Sequence, residues 1–509
     1  VTVQPNGQSS RSRNFVVVRG LGPQHTLGVF NNNVRVVERA FYERYLMCKT
    51  SRGFEPPLRV KKGKFANEWL VAFRQQVVKK CVNAPVVPIP QVVEAYTGPK
   101  RRIYEAAALS LSRDKIAPRD ARLTSFVKFE KQDLRKAPRV INPRSARYNL
   151  VLGKYIKFLE KRVYRAMNRA FQSCTDHTVI KGLNAYQAGA VAQAKWKRFR
   201  RPVAVGLDAT KFDMHVSVSA LRYEHSFYNA IFHNNPELRK LLSWQINNEG
   251  VAYCEDGRVK FRMKGTRSSG DLNTSLGNCI IMCSLIYAWS RERGVDLELM
   301  NNGDDCVVIL EQSDLDRLLK GAAGWFADYG FRMAIEEPVY EFEQIDFCQS
   351  SPVMVDHVPV MVRNVCACLR KDAMCLVPVN TPTVFKYWLK AVGDCGLSIT
   401  SGVPVMQEFY SMFIRNGTEY SEGFLRNLVK NTSHYERSGG LMAKSRVVSE
   451  DTRCSFYYAF GILPEMQIEL ERLFARYEID ADVETLLHED ITLTQGDTHS
   501  QPLLSCLYN

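Results

Sequence analysis

Three carboxylates in two short stretches carry the first chemical signal in the sequence. In "NNGDDCVVIL" (301–310), Asp304 and Asp305 stand side by side behind a glycine, with apolar residues following. In "VAVGLDATKFDMHVS" (203–217), a strand-like apolar run ends at Asp208, and a further acid, Asp213, follows five residues later. Adjacent carboxylates repel one another unless water or a cation separates them. Their hard oxygens suit Mg2+, with Mn2+ as a substitute. Two such ions about 3.5–4 Å apart can activate an attacking hydroxyl and neutralise a leaving pyrophosphate in an in-line displacement. Read alone, 301–305 is equally a solvated Asn-Gly-Asp turn.

Phosphoryl transfer is mostly positioning and charge stabilisation, so it also needs cations for a triphosphate and groups that read the sugar. The stretch "ARLTSFVKFEKQDLRKAPRVIN" (121–142) projects Lys128, Lys131, Arg135, Lys136 and Arg139, with Pro138 fixing the backbone. These cations suit phosphates, or else form a solvated basic hairpin. The sugar reader is expected in "SSGDLNTSLGNCIIMCSLIYAW" (268–289). There Ser269, Thr274 and Asn278, together with Asp213, offer the donors and acceptors a ribose 2′-OH needs. A second basic cluster, "KWKRFRRP" (195–202), interleaves Trp196 and Phe199 with Lys195, Lys197, Arg198, Arg200 and Arg201. That pattern suits single-stranded nucleic acid, with the aromatics either stacking on bases or anchoring a core.

These groups work only if rigid elements bring them together. "LELM" (297–300) and "CVVIL" (306–310) predict a β-hairpin with the paired acids at its tip. Asp208 closes a strand, and a helix opening near Thr274 places Thr274 and Asn278 on one face by i,i+4 spacing. Its apolar continuation, "CIIMCSLIYAW" (279–289), is too short to span a bilayer and reads as a buried helix. Helical spacing recurs at 36–47, 65–82 and 462–478, the last with Met466, Leu470, Leu473, Phe474 and Tyr477 on one face. Residues 1–14 read as a flexible arm and the final twenty as loose. A proline-punctuated link occupies 84–90, and 324–350 reads as a helix, a strand and a hairpin.

Charge divides the chain. Residues 1–200 hold 40 Lys and Arg against 12 Asp and Glu, a net +28, whereas residues 201–509 carry a net −12 within the total of +16. A basic first part beside an acid-bearing second part points to a polyanionic partner. The fourteen cysteines include no C-x-x-C pair, which excludes a zinc-ribbon site and favours a reducing compartment. No P-loop motif occurs, so a P-loop helicase is excluded, and no signal peptide opens the chain. The start at Val1 rather than Met fits a fragment or a processed portion of a longer product.

The order "KFEKQDLRKAPRVI", "LDATKFD", "SSGDLNTSLGN", "NNGDD" and "IDFCQS" resembles motifs F, A, B, C and E of viral RNA-dependent RNA polymerases. The wording of "YTGPKRRIYEAA" (96–107), "PRSARYNLVLGKY" (143–155) and "LLSWQINNEGVAY" (241–253) is similar to the tombusvirus and carmovirus type. The resemblance implies an α+β right-hand fold with an antiparallel palm sheet. It divides the chain into 1–90 (an N-terminal extension and bridging segments), 91–200 (fingers, with the basic motif at 125–142), 201–365 (palm, with inserted fingers at about 225–262) and 366–509 (thumb and tail).

The same resemblance implies two Mg2+ ions around Asp208, Asp304 and Asp305. It implies ribose selection by Asp213, Ser269, Thr274 and Asn278, and triphosphate contacts from Lys128, Lys131, Lys136 and Arg139. It sets Phe347, Cys348 and Gln349 beside the priming strand. NTPs, a single-stranded RNA template and an auxiliary viral replication protein are the implied partners. The implied setting is the host cytoplasm, in a membrane-associated complex reached through an upstream or partner protein. One departure stands out: "GFRMAIEEP" (330–338) has Arg332 where such enzymes often carry a lysine acid. A guanidinium is a poor acid, which leaves that role without a residue. Two rival readings remain at this point. A reverse transcriptase would need to exclude the 2′-OH, usually with a bulky residue, and a non-catalytic RNA-binding or capsid-like protein would have no use for the acids.

Overall fold

The computed structural model describes residues 1–18, 21, 27–50, 53–421, 423–424 and 441–481. The expectation of a loose C-terminal tail falls on the last twenty residues, outside that set. Helices and strands are mixed along the described chain, as an α+β fold requires.

The element that positions the acids is a four-stranded antiparallel sheet. Its strands are β1 (Pro202–Ala209), β2 (Leu297–Asn302), β3 (Asp305–Glu311) and β4 (Met333–Ile335), in the order β2-β3-β1-β4. Successive residues of a strand point to opposite faces, so a sheet covered on both sides reads as a continuous apolar run. One face presents Val203, Val205, Leu207, Leu299, Val308 and Leu310 to a large core. The opposite face presents Ala204, Met300, Val307 and Ile309 to Ala188 and Ala192 of the helix Ala185–Lys197 and to Phe347 and Met361. Asp208 and Asp305 end this second face, where the covering layer stops.

Behind the first face lies the helix Thr274–Arg293, apolar all round and buried from Leu276 to Ser290. A helix without a polar stripe belongs in an interior. It ends at Gly294, whose φ of 60° closes the last turn onto the carbonyls of Ser290 and Arg291.

A separate five-stranded sheet runs in the order Thr2–Pro5, Gly257–Lys264, Asn247–Cys254, Leu123–Val127, Val140–Ile141. Its first strand corrects the reading of 1–14 as a flexible arm, because Thr2 pairs with Lys260 and Pro5 with Gly257. A polar, turn-rich stretch is ordered here by hydrogen bonds from an edge strand some 250 residues away, a partner local composition cannot reveal.

C-terminal to the sheet, the hairpin β5 (Ser350–Val355) and β6 (Val358–Arg363) packs with the helices Pro382–Thr400, Met406–Asn416, Glu450–Phe460 and Pro464–Arg476 around a second core. The expected stripe at 462–478 is only half used: Phe474 is buried and Leu470 and Tyr477 pack partly, while Met466 and Leu473 are more than half exposed. Among the described residues no helix is long and apolar enough to cross a membrane, and all thirteen cysteines are free.

Candidate active site

The acids converge through strand register. Asp305 and Asp208 are direct partners on the antiparallel pair β3–β1, and Asn302 partners Asp305 across the hairpin. Directly paired residues carry their side chains on the same face, about 5 Å apart at Cα. Between β2 and β3 the turn is only Gly303 and Asp304, and Gly303 takes a φ of 74° that a side chain would oppose. Asn301 fixes the turn by donating to the Gly303 carbonyl at 2.8 Å.

Electrostatically the cluster is unfinished. Burial, followed by the charges of Asp213, Asp305 and Asp208, pushes the Asp304 carboxyl up from 3.8 to about 7. Burial and the charges of Asp208 and Asp346 also raise Asp305, against an opposing Cys348 hydrogen bond. Two further acids that sequence reasoning missed join in. Glu336 is raised by burial and by Asp346, Asp208 and Asp305, and burial raises Asp346. Glu336 reaches the strand because Gly206 has no Cβ; one there would overlap the Glu336 carboxylate. No spacing rule marks these two acids, since they enter from the residue that follows β4 and from the loop before Phe347.

Crowded, partly desolvated carboxylates are the donor set for a hard divalent metal. The residues fit such an ion by chemistry, although among the described residues no three His, Cys, Asp or Glu stand grouped closely enough to hold one.

Beside the acids, Asp213 accepts hydrogen bonds from Ser269 Oγ at 2.5 Å and from Asn278 Nδ2 at 3.3 Å. Three of the four expected sugar-reading residues therefore meet. The fourth does not: the Thr274 hydroxyl donates to the Ser268 carbonyl at 2.8 Å and closes the loop before its helix. The Ser269 loop is anchored from behind. The Asn142 amide donates to the Ser269 carbonyl at 2.7 Å, and Arg144 forks onto Asp271 at 2.5 and 3.3 Å. Gly270, at φ 136°, lies so close to the Asn142–Pro143 backbone that no side chain fits. Tyr45, also missed, accepts from Asn142 Nδ2 at 2.8 Å; burial and the Asp213 charge push its hydroxyl pKa up.

Of the expected phosphate contacts, Lys131, Lys136 and Arg139 line one cavity of about 430 Å3, with Arg44, Arg370 and Lys371. Lys128 is absent from its lining and pairs with Glu130 at 2.8 Å, an acid Arg139 meets at 3.3 Å. The Lys131 ammonium donates to the Lys371 carbonyl at 2.5 Å, and burial lowers its pKa.

Phe347, Cys348 and Gln349 form a tight turn, with φ of 53° and 57° at the last two. Cys348 Sγ accepts from Asn302 at 3.4 Å and lies by Asp305. Phe347 instead packs into the second face of the sheet, and Gln349 is exposed. Cys348 alone of the three is thus drawn to the acids.

The basic cluster at 195–201 needs correction. Lys195 is fully buried, pairing with Glu298 at 2.7 Å and donating to Ser173 at 2.8 Å. Arg198 is held by Asp296 at 2.7 Å and Glu298 at 3.1 Å. Trp196 and Phe199 pack against the second sheet face as core anchors. A buried, paired lysine cannot reach RNA, and Arg198, though exposed, is engaged in its two ion pairs, which leaves Lys197, Arg200 and Arg201 as the exposed cations outside them. Arg332 points elsewhere, donating to Glu55 at 3.2 Å.

Residues 1–482 match the family model described as viral RNA dependent RNA polymerase. The chain is 39% identical over 492 residues to the RNA-directed RNA polymerase of Tobacco necrosis virus (strain A), covering 95% of this chain and 66% of that protein. It is 37% identical over 509 residues to that of Melon necrotic spot virus, covering 99% of this chain and 63% of the relative. For Tomato bushy stunt virus (strain Cherry) the figures are 36% over 482 residues, 94% and 58%. The chain thus spans about three-fifths of the length of these relatives.

Proposed function

The chain belongs to the viral RNA dependent RNA polymerase family, and from that we propose that it copies single-stranded RNA by joining ribonucleoside triphosphates. The observation that carries the reading is the pairing of Asp208 with Asp305, beside Asp304 at the turn and Asp213 in the sugar pocket. In this reading the four-stranded sheet is the palm, the basic and five-stranded region before and around it the fingers, and the helices after residue 366 the thumb.

Families of this kind use divalent metal ions. Asp208, Asp305 and Asp304 would hold Mg2+ or Mn2+, which would supply charge for activating a 3′-hydroxyl and offsetting a departing pyrophosphate. The chain's own residues do the positioning. Arg139, Lys136 and Arg44 face the cavity where a triphosphate is held, and Asp213 with Asn278 accepts from and donates to the ribose 2′-OH. That polar pocket is what an enzyme excluding the 2′-OH would lack, which sets the reading apart from a reverse transcriptase. An auxiliary replication protein and a host membrane belong to the proposal as partners.

Incubating the purified chain with a defined RNA template, labelled NTPs and Mg2+ tests the reading. Template-dependent, EDTA-sensitive incorporation supports it; RNA binding without incorporation sinks it in favour of a non-catalytic RNA-binding protein.

A further inference from the structure

Arg267 is a buried arginine with no place in the chemistry described so far, and its side chain meets the sugar pocket from behind. Its Nε donates to Asn278 Oδ1 at 2.9 Å, and its outer nitrogen pairs with Glu224; both side chains are wholly buried. Glu224 is held in turn by the Tyr228 hydroxyl at 2.7 Å and the Asn273 amide at 2.8 Å. We propose that Arg267 is a positioning residue for sugar selection, fixing which end of the Asn278 amide faces Asp213 and the ribose.

What each group can donate or accept sets the orientation of the amide. A guanidinium only donates, and an ionised carboxylate only accepts. The amide of Asn278 lies between one of each, so its oxygen must face Arg267 and its NH2 must face Asp213. The reverse orientation would set two donors and two acceptors against each other in a buried site. Without Arg267 only the 3.3 Å hydrogen bond to Asp213 is left to set the two ends, and the amide would be free to swing its NH2 away from the pocket part of the time. A pocket built to donate at a set point to a ribose hydroxyl would then lose that donor.

The chain commits unusual backbone to holding Arg267 in place. Gly265 and Thr266 both take left-handed φ, 77° and 63°, which is uncommon for a β-branched residue. This reversal lets the Thr266 amide donate to the Val216 carbonyl at 2.9 Å and the Arg267 amide to the Asp213 carbonyl at 2.8 Å. Arg267 therefore grips Asp213 through its backbone and Asn278 through its side chain. On the other side, Gly277 lets the Arg267–Glu224 pair lie against the helix one residue before Asn278, since a Cβ there would overlap both side chains.

The inference rests on the polymerase reading above, and its test is kept separate from it. Arg267→Lys keeps the charge opposite Glu224 but loses the planar fork that serves two partners. Single-nucleotide incorporation kinetics with ribo- and deoxyribonucleotides are read for wild type, Arg267→Lys, Asn278→Ala and the double variant. Incorporation by wild type tests the polymerase reading; the ribo/deoxy ratio of kcat/KM tests Arg267. The expected result is a ratio lowered about tenfold or more in Arg267→Lys, with the double variant no lower than Asn278→Ala alone. An unchanged ratio, or losses that multiply in the double variant, overturns the proposal. Should Arg267→Lys fail to fold, the uncharged pair Arg267→Gln/Glu224→Gln is read by the same criteria.

Discussion

Asp305 on β3 and Asp208 on β1 are directly paired across an antiparallel ladder, so two acids about a hundred residues apart in sequence share one face at one end of the sheet. Register alone brings them together. A slip by one residue would send one of them to the opposite, apolar face.

The raised Asp304 carboxyl makes stability depend on pH. Its folded value is about 7 against 3.8 ordinarily, so between those limits the folded chain keeps a proton the unfolded chain has lost. This group's contribution to stability is therefore complete below about pH 4 and falls as pH rises to about 7, then levels. In metal-free buffer the melting temperature of wild type should decline over that window relative to Asp304→Asn, and added Mg2+ should restore it at about pH 8 more than at about pH 5. Parallel melting curves for the two proteins, with and without Mg2+, would contradict the crowding of acids described.

Sugar selection is expected to follow the hydrogen bonds, not the helix face. Asn278→Ala and Asp213→Ala should lower kcat/KM for ribonucleotides far more than for deoxyribonucleotides, by a factor on the order of ten or more. Thr274→Val should leave the ratio where it was, because its hydroxyl is committed to the Ser268 carbonyl. Single-nucleotide kinetics decide this. A Thr274 variant that narrowed the ratio as much as Asn278→Ala would return Thr274 to the pocket.

Lys195 and its neighbours should separate cleanly into fold and surface. Lys195→Ala removes one of the two cations on buried Glu298, leaving Arg198 at 3.1 Å, and should cost about 1–3 kcal/mol of stability, read by chemical denaturation. Neutralising Lys197, Arg200 and Arg201 together should leave the melting temperature nearly unchanged and flatten the plot of log RNA affinity against log salt. If the triple variant kept the full slope, those cations face away from RNA.

The sequence showed the hairpin, the strand ending in Asp208 and the buried helix because each is written in local pattern: alternation, a Gly-Asp turn, an apolar run. Asp213, Ser269 and Asn278 were legible from residue type and order. What stayed hidden depends on who faces whom across distance. Glu336 and Asp346 join the acids only because β4 and the loop before Phe347 fold beside Gly206 and Asp305. Lys195 looked like a surface cation because a lysine's type says nothing of Glu298, about a hundred residues on, waiting to bury it. Thr274 misled for a related reason: i,i+4 spacing gives the face but not the hydroxyl's partner. Thr2–Pro5 gained its strand from an edge no local signal announces.

The most direct measurement is template-directed NTP incorporation by the purified chain in Mg2+, compared with Asp208→Ala and Asp304→Ala. Asp208 is exposed and Asp304 half-buried at the end of the sheet, and neither belongs to its apolar core, so each variant should fold and bind RNA as wild type does. Loss of a metal-holding carboxylate should lower the rate well beyond tenfold, a loss of more than about 1.4 kcal/mol of transition-state stabilisation. A folded Asp208 or Asp304 variant that kept more than about a tenth of the wild-type rate would contradict the assignment of these acids as the metal-holding centre.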